Sequence, residues 1–304
     1  MELRDLRAFV AVVDVAGMTR AAERLHVVQS AVSQAVKRLE RELDLLLLER
    51  RPDGVRPTDA GEALARHARL ILNSVARAQE DMAAFHGLDK GQVQLGILHT
   101  AVPLVLAPLL RKLGAAHPGL QIRVREGRVD ELVDLLALRV LDIAVTFLPA
   151  ELAGLEVHQL TSLELAVIVS AEHELADQER ISMRLLEHAV WVSFPQHHPG
   201  RSWLERACAG AGFTPSRVIE VDTLVHLKTF VESGAGIALL PPQTCQLERQ
   251  IGALATLELM SRPRAQLAYV LEPHYRRGLA LNAIRPLLEE TIAELTETAP
   301  TALG

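Results

Sequence analysis

Apolar positions in this chain keep helical spacing through the first 90 residues, then change to short continuous runs. Leu3, Leu6, Phe9, Val10 and Val13 share one stripe, which predicts a first helix to about Val15, ended by Gly17. Thr19 to Leu25 predicts a short second helix whose Ala21-Ala22 pair allows close packing. Beyond His26, Val27 and Val28 comes a third stripe of Val32, Val36, Leu39 and Leu43. Gln29, Ser30, Ser33, Gln34, Lys37 and Arg41 fall opposite it. Small residues at the crossing and a brief corner are what a helix-turn-helix needs for its second helix to protrude. From about Thr58 a long helix is expected to about Phe85, spanning roughly 40 Å. Thr58 suits its cap, and Asp59 and Glu62 suit the positive end of its dipole. Along it Leu64, Ala68, Ile71, Val75, Ala78, Met82 and Phe85 alternate spacings of four and three. That heptad seam reads as a dimer contact in preference to a face buried in its own domain. Gly87 to Gly91 reads as a hinge.

From Gln92 onward, oily runs alternate with amphipathic stretches. Strands are expected at 92–98, 120–126 and 141–147, with helices at 103–117 and 129–138 between them. This β-α-β-α-β order predicts a parallel sheet covered by helices. A second set follows: strands near 163–169, 190–194, 217–221 and 237–240, with helices near 201–211 and 224–233. A strand at 266–271 and a helix at 275–295 come last.

Composition narrows the class. The 304 residues are 49% hydrophobic and 23% charged, an ordinary globular profile, and with 3% aromatics the cores must be mostly Leu, Val, Ile and Ala. The charged start Met1-Glu2-Leu3-Arg4-Asp5 lacks the form of a secretory signal. The oily run from Ala101 to Leu110 is too short for a membrane span and carries Pro103 and Pro108. A cytoplasmic protein that enters no membrane is expected, and two cysteines fit that reducing compartment. The net charge of -6 argues against a generic nucleic-acid coat. Residues 1–90 hold 14 Lys+Arg and 14 Asp+Glu, leaving 18 against 24 in residues 91–304. Any DNA surface must then be one sorted face within the N-terminal part.

The third helix offers such a face. Gln pairs with an adenine edge, Ser with several bases, and Lys or Arg with guanine or phosphate. Polarity alone favours the plainer reading, an ordinary solvated helix face. Its neighbour changes the balance: Arg50-Arg51-Pro52-Asp53-Gly54-Val55-Arg56 carries an Asp-Gly hairpin signal among arginines, a wing for phosphates or the minor groove. Other chemistry is sparse. Gly234-Ala235-Gly236 lies between a helix and a strand, the reverse of a dinucleotide fingerprint, and suits a left-handed helix end. His173-Glu174 is followed by Asp177 where a zinc protease needs a second His. His197-His198 reads as a solvated loop, and Cys208 and Cys245 as buried inert thiols. No catalytic group, metal site or cofactor is expected. A transport receptor would need export and would leave the first 90 residues idle.

Leu6, Phe9, Ala21-Ala22, Leu25, Gln29, Ser30, Ser33, Leu39-Glu40, Leu43, Arg50, Thr58 and Gly61 resemble the pattern of the LysR-type transcriptional regulators. The resemblance covers nearly the whole chain. It implies an N-terminal all-α winged helix-turn-helix, a long dimerising linker helix, and a C-terminal α/β two-lobed effector domain resembling periplasmic binding proteins. The implied boundaries are 1–58, 59–90 and 91–304, with lobe one at about 91–161 and 265–304 and lobe two at about 162–264. Gln29, Ser30, Ser33, Gln34 and Lys37 would read bases, with Arg38, Arg41, Arg50, Arg51 and Arg56 on phosphate or the minor groove. The implied partners are double-stranded promoter DNA, a small-molecule effector and further copies of the chain, as homodimer or homotetramer.

In open α/β sheets, ligands sit at the carboxyl ends of strands, against helix N-termini. Those positions here hold His99, Thr100, Arg128, Thr146 and Phe147 on one lobe and Phe194, Arg201 and Thr223 on the other. In the family, a hydroxyl at the place of Thr100 often holds an effector carboxylate, and Arg128 or Arg201 would supply charge for an organic anion. Each also has a plainer reading: Thr100 as a helix cap, Arg128 as a solvated loop residue, Arg201 as a surface residue of a first turn. Four positions depart from the family pattern. Val28 and Gly17 stand where it has Ser, Asp44 where it has a turn Gly, and Asp53 where it has a second wing arginine. Losing a Ser cap costs about 1 kcal/mol. Val28→Ser is therefore expected to raise the melting temperature by a few degrees in a thermal denaturation scan; no rise, or a fall, contradicts the capping argument.

Overall fold

The computed structural model describes residues 1–51, 54–84, 92–148, 152, 154–273 and 279–297. The chain divides into two compact units, one chiefly of residues 1–86 and one of the remainder.

The first unit runs α1 (Leu3–Val15), α2 (Met18–Leu25), α3 (Gln29–Leu43), β1 (Leu48–Arg51), β2 (Gly54–Pro57) and α4 (Asp59–Ala84). Its core joins Leu6, Phe9 and Val12 of α1 to Ala21, Val32, Val36 and Leu39, and to Ala65 and Ala68 of α4. Three details differ from the sequence pattern. Val12 is fully buried, whereas Leu3 is 40% exposed. Ala16 takes the left-handed turn that ends α1, and Gly17 is the extended N-cap of α2. Leu43 lies at the end of α3 and is exposed. Asp44 follows it in the left-handed region, at φ 52°, which Asp tolerates.

Polar contacts fix the angles between these helices. Asp5, in the first turn of α1, is buried, and Arg38 of α3 grips it through Nη2 at 2.6 Å and Nε at 3.1 Å. That hydrogen bond, outweighing the cost of burial, holds the Asp5 carboxyl below its usual range. Asp14 of α1 meets Arg69 of α4 at 2.5 Å and Arg24 of α2 at 3.6 Å. At the start of α4, the Thr58 hydroxyl accepts from the Gly61 amide at 3.0 Å and donates to the Leu46 carbonyl at 2.8 Å. A side chain on Gly61 would place its Cβ 2.0 Å from the Leu47 carbonyl oxygen, so the close approach there needs Gly.

The second unit runs β3 (Gln92–Leu98), α5 (Val102–Ala116), β4 (Gln121–Gly127), α6 (Val129–Ala137), β5 (Ile143–Phe147), β6 (Glu156–Glu164) and β7 (Ala166–Ser170). It continues with β8 (Arg180–Ile181), β9 (Val190–Ser193), α7 (Pro199–Gly210), β10 (Arg217–Glu220), α8 (Leu224–Glu232), β11 (Ala238–Leu240) and α9 (Gln246–Gln250). β12 (Leu254–Leu259), β13 (Arg264–Leu271) and α10 (Leu279–Glu297) follow. β4-β3-β5-β13-β6 form one sheet, in which β3 is parallel to β4 and β5 while β13 runs antiparallel to β5 and β6. The late strand thus returns to the first sheet and makes it mixed. β11-β7-β12-β8 form a second sheet, and β9 and β10 pair in parallel. The single strand expected near 163–169 is two, β6 and β7, parted at Leu165, whose amide donates to the Pro263 carbonyl at 2.8 Å. The chain crosses between the sheets there, and again between β12 and β13. Among the described residues no helix is long and apolar enough to cross a membrane.

Two glycines in helices are expected to respond oppositely to alanine. Gly61→Ala forces the α4 backbone off the Leu47 carbonyl and should cost about 1–3 kcal/mol. Gly114 of α5 is exposed with open space around it, and Gly114→Ala should stabilise by about 0.4–1 kcal/mol. Urea denaturation of the two variants checks both signs.

Candidate DNA-reading face and inter-sheet cleft

On α3, Gln29, Ser30, Gln34, Lys37 and Arg41 are exposed and Ser33 is half-buried. The N-cap residue Val28 is extended, 68% exposed and makes no side-chain cap, so the first turn presents open amides. β1 and β2 pair antiparallel with Arg51 opposite Gly54 and Glu49 opposite Arg56. Arg51 and Arg56 are exposed. The backbone of Arg50 lies in β1; its side chain, like Asp53, lies outside the described residues. Arg38 departs from the expectation of a phosphate contact, because its guanidinium is engaged by Asp5.

In the second unit a cleft of about 760 Å³ opens where strands of the two sheets end. On one side it is lined by His99, Val102, Pro103 and the stretch Glu126–Arg128, with Glu131. On the other it is lined by Pro195, His197, His198 and the stretch Asp222–His226, with Lys228. These residues follow β3, β4, β9 and β10 and open α5, α6, α7 and α8, so four helix N-termini converge on the cleft. His99, Arg128 and Thr223 of the expected set therefore line it. The others do not. Thr146 and Phe147 are core residues: the Thr146 hydroxyl donates to the Phe147 carbonyl, and Phe147 packs edge-on against Trp203 at 4.8 Å. Phe194 is buried beneath the histidines, 4.0 Å from the His198 ring and 5.6 Å from that of His99. Arg201 is bound to Glu205 at 2.8 Å and faces Glu220 at 3.6 Å. Thr100 is wholly buried with an unpartnered hydroxyl and caps no helix; the capping hydroxyl belongs to Thr223, which accepts from the His226 amide.

The cations of the cleft are committed. Arg128 clasps Asp130 through Nε at 3.1 Å and Nη2 at 2.7 Å. Lys228 meets Glu248 at 2.5 Å. His198 was missed as a site residue, because His197-His198 reads as a loop. It is only 4% exposed, caps α7, and accepts the Gly200 amide on Nδ1 at 3.0 Å. The usable signal was the Pro-Gly that follows, since Pro favours the first helical position and makes the residue before it the cap. Burial, reinforced by His99 and His197, lowers the His198 pKa to about 3. Burial also lowers that of His99, against the opposing pull of Glu126 and Asp222. Cys208 and Cys245 are buried free thiols, and burial pushes Cys208 up to about 12.

A winged helix-turn-helix joined in one chain to a two-sheet domain with a cleft at its strand ends defines a DNA-binding regulator that responds to a small molecule. The family model described as "Bacterial regulatory helix-turn-helix protein, lysR family" matches residues 3–62, and "LysR substrate binding domain" matches residues 86–293. The chain belongs to the LysR family of transcriptional regulators. The HTH-type transcriptional regulator CfxR of Cupriavidus necator is 30% identical over 296 residues, covering 97% of this chain and 93% of that protein. The RuBisCO operon transcriptional regulator of Allochromatium vinosum is 28% identical over 302 residues, covering 98% and 97%. Crystalline CbnR, a LysR family regulator, shares the fold with a TM-score of 0.75 at 21% identity, covering 96% of this chain and 99% of that one.

A histidine kept neutral in the folded state loses stability where the unfolded chain takes up a proton first. For His198 that window runs from its ordinary value of 6.5 down to about 3, so its contribution is full above the window and falls with pH inside it. His198→Asn, which keeps a capping acceptor, is expected to flatten the decline in melting temperature across that window. An unchanged slope contradicts the burial of a neutral imidazole.

Proposed function

We propose that Gln29, Ser30, Ser33, Gln34 and Lys37 read base edges in a promoter, while Arg41, Arg50, Arg51 and Arg56 hold its backbone or minor groove. The observation that carries this reading is the free polar face of α3 in one unit with a wing bearing Arg51 and Arg56. Arg38 serves by positioning: its grip on Asp5 ties α3 to α1. The DNA-binding, linker and effector parts are assigned to 1–58, 59–90 and 91–304. α4 supplies the seam through which the chain self-associates, as a homodimer or a homotetramer. Ile71, Ala78 and Met82 of that seam are exposed on the single chain. The protein acts in the cytoplasm and performs no catalysis.

The effector is a small organic acid held in the inter-sheet cleft. Helix dipoles and neutral donors at the cleft floor suit an acceptor group. Its binding favours the closed cleft and so shifts the spacing of paired DNA-binding heads. Redox sensing through the cysteines is disfavoured, because both thiols are buried and their pKa values raised.

Gel-shift titration on the native promoter tests the DNA reading. Gln29→Ala should lose about 1–3 kcal/mol of preference for the operator over unrelated DNA. Arg51→Ala should weaken binding to all sequences and reduce the salt slope by about one. Undiminished operator preference in Gln29→Ala contradicts the base-reading role.

A further inference from the structure

The floor of the cleft holds an unmatched donor. His198 accepts the Gly200 amide on Nδ1, so its proton sits on Nε2, and that buried N–H has no partner. The Nε2 of His99 is likewise buried and unmatched, and the two rings lie 4.9 Å apart. Buried polar atoms are normally paired, so an unpaired donor in a cleft wall marks a place for a ligand acceptor.

The rim has the opposite character. Glu126 is the last residue but one of β4, and Asp222 follows β10 on the facing side. Both are exposed, and neither carboxylate makes a hydrogen bond or ion pair among the described residues. Both act electrostatically on the His99 ring. Glu131, the third acid of the lining, is turned back onto the Arg128 amide. The cations that would neutralise the rim are engaged elsewhere, Arg128 by Asp130 and Lys228 by Glu248. The other basic side chains of the lining, His197 and His226, are exposed imidazoles. A ligand that is only an anion would meet two free carboxylates without a free guanidinium or ammonium, and like charges brought together in a partly desolvated site repel strongly.

We infer that the ligand carries a cationic nitrogen as well as an acceptor group, as amino acids and ω-amino acids do, with the acceptor on His198 Nε2–H and the nitrogen between Glu126 and Asp222. This rests on the assignment of the cleft as the effector site and narrows the class of effector. The carboxylate end is oriented by the floor and the helix N-termini. The ammonium end is recognised by the two acids, and it distinguishes the ligand from a hydroxy or keto acid of the same skeleton.

The test uses the full-length protein with matched probes: common L-amino acids and ω-aminoalkanoic acids, each beside the hydroxy acid of the same chain length. Thermal shift screens the pairs and isothermal titration measures those that respond. At least one amino member should bind about tenfold or more tightly than its hydroxy partner, as a charge-assisted contact requires. The double variant Glu126→Gln, Asp222→Asn should erase that difference, and His198→Ala should weaken both members. A cooperative thermal unfolding transition and an unchanged circular dichroism spectrum in the absence of probe report that each variant is folded. Hydroxy acids that bind as well as, or better than, their amino partners overturn the ligand class and leave the cleft assignment standing. A response that survives both variants overturns the cleft assignment itself. No response to any probe overturns the amino-acid class, while operator binding continues to report on the regulator.

Discussion

A polar side chain taken out of water must be matched inside the protein, and that requirement shapes both units of this chain. In the first unit the matched case is Asp5. Its carboxylate is buried at the head of α1, and Arg38, in the second half of α3, reaches it with two nitrogens. A small core of Leu, Val, Ala and one Phe has little directional character, because methyl and methylene contacts tolerate sliding. A forked ion pair does not slide. The pair therefore fixes the rotation of α3 about its axis, and with it which side chains the helix presents to solvent. Asp14, held between Arg24 and Arg69, adds the same constraint between α1, α2 and α4.

The second unit contains the unmatched case. Parallel strands β3, β4, β9 and β10 all run toward the cleft, so their carboxyl ends and the following helix starts collect there. That arrangement follows from topology, and the helix dipoles come with it. Local chemistry then decides what the dipoles are worth. Glu131 turns back onto the Arg128 amide, Thr223 accepts from the His226 amide and His198 from the Gly200 amide, so three of the four termini, those of α6, α8 and α7, are already partly capped. The cations, too, are engaged. What remains for a ligand is neutral N–H on the floor and free carboxylate on the rim, a more restrictive chemistry than positive charge alone would give.

Periodicity made the helices of the first unit legible because each has one apolar face against one core. Asp-Gly among arginines likewise foretold the wing. The difference between Lys37 and Arg38 was not legible: both sit on the polar half of α3, and only the position of Asp5 decides which turns inward. Thr146 and Phe147 follow a strand pattern, and the site rule points at strand ends, but these two lie in a strand buried on both faces. β6 and β7 read as one run because the break at Leu165 is itself apolar and is defined by its partner at Pro263, nearly 100 residues later. Gly234 ends α8 in the left-handed turn that its place between a helix and a strand suggests, with φ 76°. Gly236 has a different reason, since a Cβ there would meet the Val190 carbonyl oxygen at 2.5 Å. Such contacts are set by distant sequence and leave no local signature.

The long helix α4 shows how one stripe can serve two purposes. Its first turns bury Ala65 and Ala68 against α1, and the core of that unit reaches along it only as far as Leu72. Beyond that point the seam positions Val75, Ala78 and Met82 continue the same spacing without the same burial, and Met82 is 59% exposed. An amphipathic helix gains most of its stability from packing its apolar face, so a regular stripe that outruns its own core favours a second helix. Pairing there would join two first units through elements whose angles are already set by Asp14 and Arg69. The ion pairs that orient each α3 would then also orient the two reading faces with respect to one another.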